Sequence, residues 1–194
     1  MPKPMLFTSP EAPLFWVVYL WAFVPEIRIV LQALKGGAGA QDAGTTRLIA
    51  TINMVAQWAA VAASFLPWLV MSRPRAAFYA GTGLLIVGSL LRRYCFRLLG
   101  KYFTGAVIAK ADQPVIERGP YRWIRHPSYT AGLIMFFGIG VALGHWVSVA
   151  ILVLAPCCAY LRRVEVEERA LLSSIGEPYR AYMARTKRFV PFVY

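Results

Sequence analysis

Residues 128–161 read SYTAGLIMFFGIGVALGHWVSVAILVLAPCCAYL and hold no Asp, Glu, Lys or Arg. As one straight helix this stretch would run about 50 Å at 1.5 Å per residue, too long for a hydrocarbon core of about 30 Å. Gly144-His145-Trp146 breaks it. Two short spans joined there fit better, at 128–143 and 146–161. Upstream, a run at 76–99 follows the tight turn Arg73-Pro74-Arg75 and carries Arg92, Arg93 and Arg97 out of the apolar layer. Before it lies a run at 48–71, interrupted by Asn53, Gln57 and Pro67. The first run, 13–34, meets Pro25, Glu26 and Arg28 near its end; these could pair with each other or lie at an interface. The glycine-rich loop 35–44 follows. Downstream, 162–185 reads as a helix leaving the fifth span, broken near Gly176-Glu177-Pro178.

The expected fold is therefore an all-α integral membrane protein of five transmembrane helices with a cytoplasmic C-terminal helical segment, residues 1–194 forming one domain. Composition agrees: 58% of residues are hydrophobic and 15% charged, against about a quarter charged in a soluble domain. The 21 basic residues outnumber 9 acidic ones, and most of the excess falls at 92–125 and 162–188. Both blocks flank the 128–161 hairpin, so they share one side. The positive-inside tendency makes that side cytoplasmic, with the N-terminus outside, against weak opposition from Arg73 and Arg75. Beside membrane spans a basic excess points to anionic headgroups; nucleic acid is not expected, since no separate soluble domain would carry it. Cys95, Cys157 and Cys158 form no CxxC or Cys/His cluster, so no metal site or disulfide framework is expected. No small-residue cleavage signal follows the first residues, so the first apolar run is read as a retained span.

Two constellations carry chemistry. In Arg118-Gly-Pro-Tyr-Arg-Trp-Ile-Arg-His-Pro-Ser-Tyr-Thr-Ala-Gly132, Pro127 disfavours helix at His126 and suits a first helical turn itself. The free amides near Tyr129 would then face the interface, ready for a small anion such as a carboxylate. A basic loop that only grips headgroups is the competing reading. In Arg162-Arg-Val-Glu-Val-Glu-Glu-Arg-Ala-Leu-Leu172, helical spacing sets Tyr160, Arg163 or Val164, Glu167 and Leu171 on one face, with Glu168 about 100° away. Paired carboxylates suit a cationic amino group or ribose hydroxyls, unless they only pair with neighbouring arginines on a solvated helix. Both constellations flank one hairpin, within about 8–10 Å between helix axes. Together they suit a zwitterionic amino-acid head beside an apolar cavity, as S-adenosylmethionine would present. Asn53 and Gln57 lie one turn apart and either line a tail cavity or join helices; helix joining is favoured.

Gly119-Pro-Tyr-Arg-x-x-Arg-His-Pro-x-Tyr-x-x-Gly132, then Arg163-x-x-x-Glu167-Glu168-x-x-Leu171, Gly176-x-x-Tyr179-x-x-Tyr182 and Arg188-Phe-Val-Pro191, resemble the signature of the isoprenylcysteine carboxyl methyltransferase family. The length and span count resemble its compact archaeal member; the eukaryotic enzymes carry additional spans. The resemblance implies methyl transfer from S-adenosylmethionine, leaving S-adenosylhomocysteine, to the carboxylate of a lipidated acceptor such as prenylcysteine. It implies a cofactor region at 110–132 and 160–191. His126, Pro127 and Tyr129 would surround the methionine part, with Glu167 and Glu168 near its amino group and ribose. Gln113, Val115, Gly119 and Tyr121 would line the adenine side. Arg163 would orient the acceptor carboxylate, and Arg163, Glu167 and Tyr129 would stand at the reacting centre. The expected setting is multi-pass in the plasma membrane of a prokaryote, with the active site facing the cytoplasm. Related phospholipid N-methyltransferases share the His-Pro and Glu-Glu elements, so an amine acceptor is the alternative. A membrane reductase or a lipid-binding scaffold would be the reading outside methyl transfer; no GxGxxG motif supports a nicotinamide cofactor.

Overall fold

The computed structural model describes residues 4–8, 10–35, 42–107 and 113–190, so residues 110–112 of the expected cofactor region and Pro191 of the C-terminal motif lie outside the described residues. The described elements are helical, in the order α1 (Met5–Thr8), α2 (Ala12–Lys35), α3 (Thr45–Ala63), α4 (Pro74–Leu99), α5 (Pro127–Ala142), α6 (Trp146–Ile175) and α7 (Glu177–Arg185). Beyond them the described residues show two isolated bridges, Val70 with His145 and Ile124 with Lys187. α2, the Pro74–Tyr102 stretch that contains α4, and α6 are long and apolar enough to cross a membrane, and α5 is a shorter apolar helix.

Local chemistry sets the helix ends. Pro74 and Pro127 sit in the first turns of α4 and α5, where a missing N–H costs nothing. Gly144, at φ 69°, turns the chain between α5 and α6, and Gly176, at φ 72°, ends α6. α3 departs from expectation. It stops at Ala63 instead of reaching Met71: Pro67 has no N–H to bond the Ala63 carbonyl, and Leu69 adopts φ 60°, outside helical geometry. The freed segment instead closes the bundle end. His145 donates from Nε2 to the Trp68 carbonyl at 2.7 Å, and the Met71 and Trp146 amides bond Gly144 and Leu69 across the gap. Pro25 does not end α2, which runs on to Lys35, and Glu26 reaches Arg92 on α4 at 2.8 Å rather than pairing with Arg28.

α5 lies between α4 and α6, and α3 packs on α6. The α4–α5 crossing needs Gly81, since a Cβ there would stand 2.3 Å from the Ala142 backbone nitrogen. Such small-residue contacts let helices approach where burial from lipid supplies little driving force. Phe15, Phe78, Leu85, Met135, Leu152 and Val164 belong to the core between the helices. Trp58, Val17 and Leu154 point outward and are mostly exposed, as side chains facing lipid would be. This packing brings the start of α5 and the charged end of α6 to one end of the bundle.

Candidate active site

His126, φ −124° and ψ 52°, precedes α5 outside helical geometry, as the clash with a following proline favours. The Tyr129 amide does not stay free for an anion, because it donates to the His126 carbonyl at 3.1 Å. A cleft opens beside this turn. Tyr121, His126 and Tyr129 form one wall, and Arg163, Glu167 and Leu171 on α6 form the second. Residues 104–107 (apart from Gly105) and 113–116 close it on the loop side, and Tyr179 and Tyr182 reach in from α7. The four-residue spacing of Arg163, Glu167 and Leu171 is what sets them on one face of α6. Gln113 and Val115 also stand in the lining. Gly119 lies outside it; at φ 59° it starts a 3-10 turn, and a Cβ there would meet Leu98 at 2.8 Å. Pro127 is fully buried at the head of α5.

Glu167 and Glu168 part company. Glu167 faces the cleft and accepts from the Tyr129 hydroxyl at 2.8 Å. Glu168, one residue on, turns away and is buried. Its oxygens take Arg125 at 2.9 Å and Arg188 at 2.9 Å, and the His126 Nε2 lies 3.2 Å away. Burial alone would raise its carboxyl pKa, but hydrogen bonds from His126, Arg125 and Arg188 bring it down to about 2. Arg125 also donates to the Met183 and Thr186 carbonyls, and the Arg125 and His126 amides donate to Lys187 and Arg188. The segment after α7 is thereby strapped over the His-Pro turn. Tyr182 donates to the Tyr121 carbonyl at 2.7 Å, and burial pushes the Tyr182 and Tyr179 phenols up, so both stay neutral donors.

Arg163 is 4% exposed and its guanidinium is already engaged. Nε donates to the Tyr129 hydroxyl at 3.2 Å. One terminal nitrogen donates to Asp42, to Thr45 Oγ1 at 2.7 Å and to Thr46 Oγ1 at 3.0 Å, and the other to the Gly105 carbonyl at 2.9 Å. Sequence reasoning passed over Asp42, which sits in a glycine-rich loop. It also read Arg92 only as a helix end. Arg92 donates to Glu26 and, at 2.6 Å, to the Ser128 carbonyl, and it lines a second cavity. The usable signal was Glu26, a carboxylate in an apolar run that needs a partner.

The second cavity encloses about 560 Å³ between α2, α3, α4 and α5 and is mostly apolar. Glu26, Arg92, Asn53 and Tyr160 supply polar groups in its lining. Gln57 both lines it and joins helices, accepting from Tyr19 on α2 at 2.5 Å. Tyr129, in the cleft wall, and Tyr160, in the cavity wall, lie with ring centroids 4.9 Å apart. The charged cleft and the apolar cavity thus meet across two tyrosines.

Two polar groups in the cleft lining stand out as able to receive a ligand. The Tyr121 hydroxyl is buried with no hydrogen-bond partner among the described residues, and Glu167 presents a carboxylate to the lining. These fit the polar and cationic parts of S-adenosylmethionine. Among the described residues no cluster of His, Cys, Asp or Glu could hold a metal ion.

Comparison with known proteins places the motifs. Residues 81–173 match the isoprenylcysteine carboxyl methyltransferase family. The protein-S-isoprenylcysteine O-methyltransferase of Schizosaccharomyces pombe is 29% identical over 113 residues, covering 57% of this chain and 48% of that protein. The probable protein-S-isoprenylcysteine O-methyltransferase of Oryza sativa subspecies indica is 30% identical over 117 residues, covering 59% of this chain and 61% of its own length. The chain therefore spans about half the length of such relatives. Among solved structures, a eukaryotic intramembrane Ras methyltransferase of the same family superposes with a TM-score of 0.67. It covers 97% of this chain and 70% of its own at 21% identity, a likeness of fold.

Proposed function

With residues 81–173 carrying the pattern of the isoprenylcysteine carboxyl methyltransferase family, we propose that this chain is an S-adenosylmethionine-dependent methyltransferase acting on the carboxylate of a lipidated acceptor such as prenylcysteine. The observation that carries the reading is the meeting of a charged cleft and an apolar cavity at Tyr129 and Tyr160. The cofactor belongs in the cleft, entered from the cytoplasm. The acceptor tail belongs in the cavity, entered from the bilayer. Five crossings, with α3 and α5 as the short ones, would place the cleft at the cytoplasmic face of a prokaryotic plasma membrane, its basic surroundings against anionic headgroups.

When bound, the cofactor supplies an electrophilic methyl group on a sulfonium. Glu167 and the Tyr129 hydroxyl would hold its amino-acid head, with the Tyr121 hydroxyl, Gln113 and Val115 toward the nucleoside. Glu168 serves by fixing His126 and the strap after α7. An acceptor carboxylate would be oriented by Arg163 or Arg92, which stand on either side of the tyrosine pair. Anion meeting cation loses charge on the way to the transition state, so a pocket poor in water favours the step and no general base is required. The cleft encloses about 110 Å³, less than the several hundred Å³ of a typical ligand site, so it must widen on binding.

The two buried arginines favour a carboxylate over an amine, which would have to lose a proton, with Glu167 as the available base. The test is transfer of labelled methyl from S-adenosylmethionine to N-acetyl-S-farnesylcysteine in liposomes, as a function of pH. A rate flat across neutral pH supports the carboxylate. A rate that climbs with deprotonation of an amine substrate, and vanishes with the carboxylate one, refutes it.

A further inference from the structure

We infer that Asp42 is a positioning residue for the reacting centre, holding the Arg163 guanidinium against Tyr129 while it pins the 105–107 wall of the cleft. The inference rests on the methyl-transfer reading only for its kinetic consequence. Asp42 is fully buried in the loop before α3. Its carboxylate accepts from the Thr46 amide at 3.1 Å, the Thr46 hydroxyl at 2.9 Å and the Val107 amide at 3.0 Å. The same carboxylate pairs with Arg163, far along the chain on α6. Thr46 Oγ1, its one proton shared with Asp42, also lies 3.2 Å from the Gly105 carbonyl, and Arg163 donates to the same carbonyl. Arg163 then passes the arrangement on to the Tyr129 hydroxyl, and Tyr129 to Glu167.

A single carboxylate therefore joins three pieces of chain that the sequence separates: the α3 start, the cleft loop and α6. A guanidinium with rotatable bonds in its stem would otherwise sample several directions, and among the described residues the other carboxylate near its Tyr129 end is Glu167. Fixing a group within a fraction of an ångström is what a supporting partner contributes to a site. With Asp42 removed, the charge of Arg163 turns toward Glu167 and occupies the place of the cofactor's amino group.

The test uses the full chain in detergent and in liposomes, with Asp42→Asn. Asparagine Oδ1 still accepts from the Val107 amide, while the oxygen that takes the Thr46 amide becomes an NH2 group, so the substitution removes the counter-charge and one of the two amide bonds and keeps the cleft loop tied. Two readouts are taken. Phenylglyoxal modification of Arg163, mapped by mass spectrometry, reports positioning without reference to any reaction. Expected is protection in the wild type and at least tenfold faster modification in Asp42→Asn. The kinetic readout is kcat for N-acetyl-S-farnesylcysteine, expected to fall about 10- to 100-fold, beyond any change in Tm. If the variant fails to fold, the double variant Asp42→Asn/Arg163→Met should restore the Tm, because the buried cation left alone is then gone. Equal protection of Arg163, a wild-type kcat in the folded variant, or a fold not restored by the double variant overturns the inference. A wild type that transfers no methyl group would refute the proposed function, and the modification rate would still decide the role of Asp42.

Discussion

Glu168→Ala should cost this protein the packing around the start of α5 rather than a cofactor contact. The carboxylate is 3% exposed and holds Arg125 and Arg188 at 2.9 Å each, with His126 beside them. Arg125 is itself nearly buried, its side chain 9% exposed, whereas Arg188 is 27% exposed and can recover part of its solvation. Breaking a buried pair by removing one partner costs about 3–5 kcal/mol, because the other charge stays behind. Discounted for the exposure of Arg188, about 3 kcal/mol is expected, or roughly 6–12 °C in Tm for a chain of this size. The loss should be local at first, since Arg125 also carries the Met183 and Thr186 carbonyls. The assay is thermal unfolding in detergent followed by tryptophan fluorescence, beside amide exchange over 176–190. The pH dependence carries a sign. A carboxyl held at about 2 in the fold contributes stability that is fully present above its ordinary range near 4.5 and is lost as pH falls from there through 2. The gap between wild type and Glu168→Ala should therefore stay constant from pH 8 to 5 and narrow below 4.5. A Tm shift under 2 °C at pH 7, or a gap that widens on acidification, refutes this account of Glu168.

Three other outcomes follow from particular contacts. Gly81→Ala places a Cβ 2.3 Å from the Ala142 nitrogen and 2.4 Å from the Gly138 carbonyl, so α4 and α5 must part; the Tm should fall by several degrees, matching about 1–3 kcal/mol of overpacking. Ala50→Phe puts a ring into the apolar cavity and should raise KM for a farnesylated acceptor at least fivefold, while S-adenosylhomocysteine binding, read by calorimetry, stays as it was. Binding of S-adenosylhomocysteine should slow amide exchange at 113–116, which line the cleft, and leave the Val107 amide, already held by Asp42, unchanged.

The hairpin was legible because Gly144 and Pro127 are local signals: glycine permits the positive φ of the turn and proline fixes its own φ, whatever the chain packs against. The face of α6 was legible for a related reason, since four-residue spacing alone puts Arg163, Glu167 and Leu171 in line. Periodicity set Glu168 about 100° from that face but could not tell what it would meet there. Its partners Arg125 and Arg188 arrive from other elements. The pairs Asp42–Arg163 and Glu26–Arg92 were hidden for the same reason, both joining residues far apart in the chain. The early end of α3 was available in Pro67, but the neutral residues up to Met71 masked it as one continuous apolar run.

The central claim is that the cleft beside Glu167 holds the methyl donor. Calorimetric titration of the purified protein with S-adenosylhomocysteine, beside its Glu167→Ala variant of unchanged Tm, tests it most directly. The account predicts saturable one-to-one binding that the variant loses. No binding to the folded wild type, or equal binding by the variant, would contradict it.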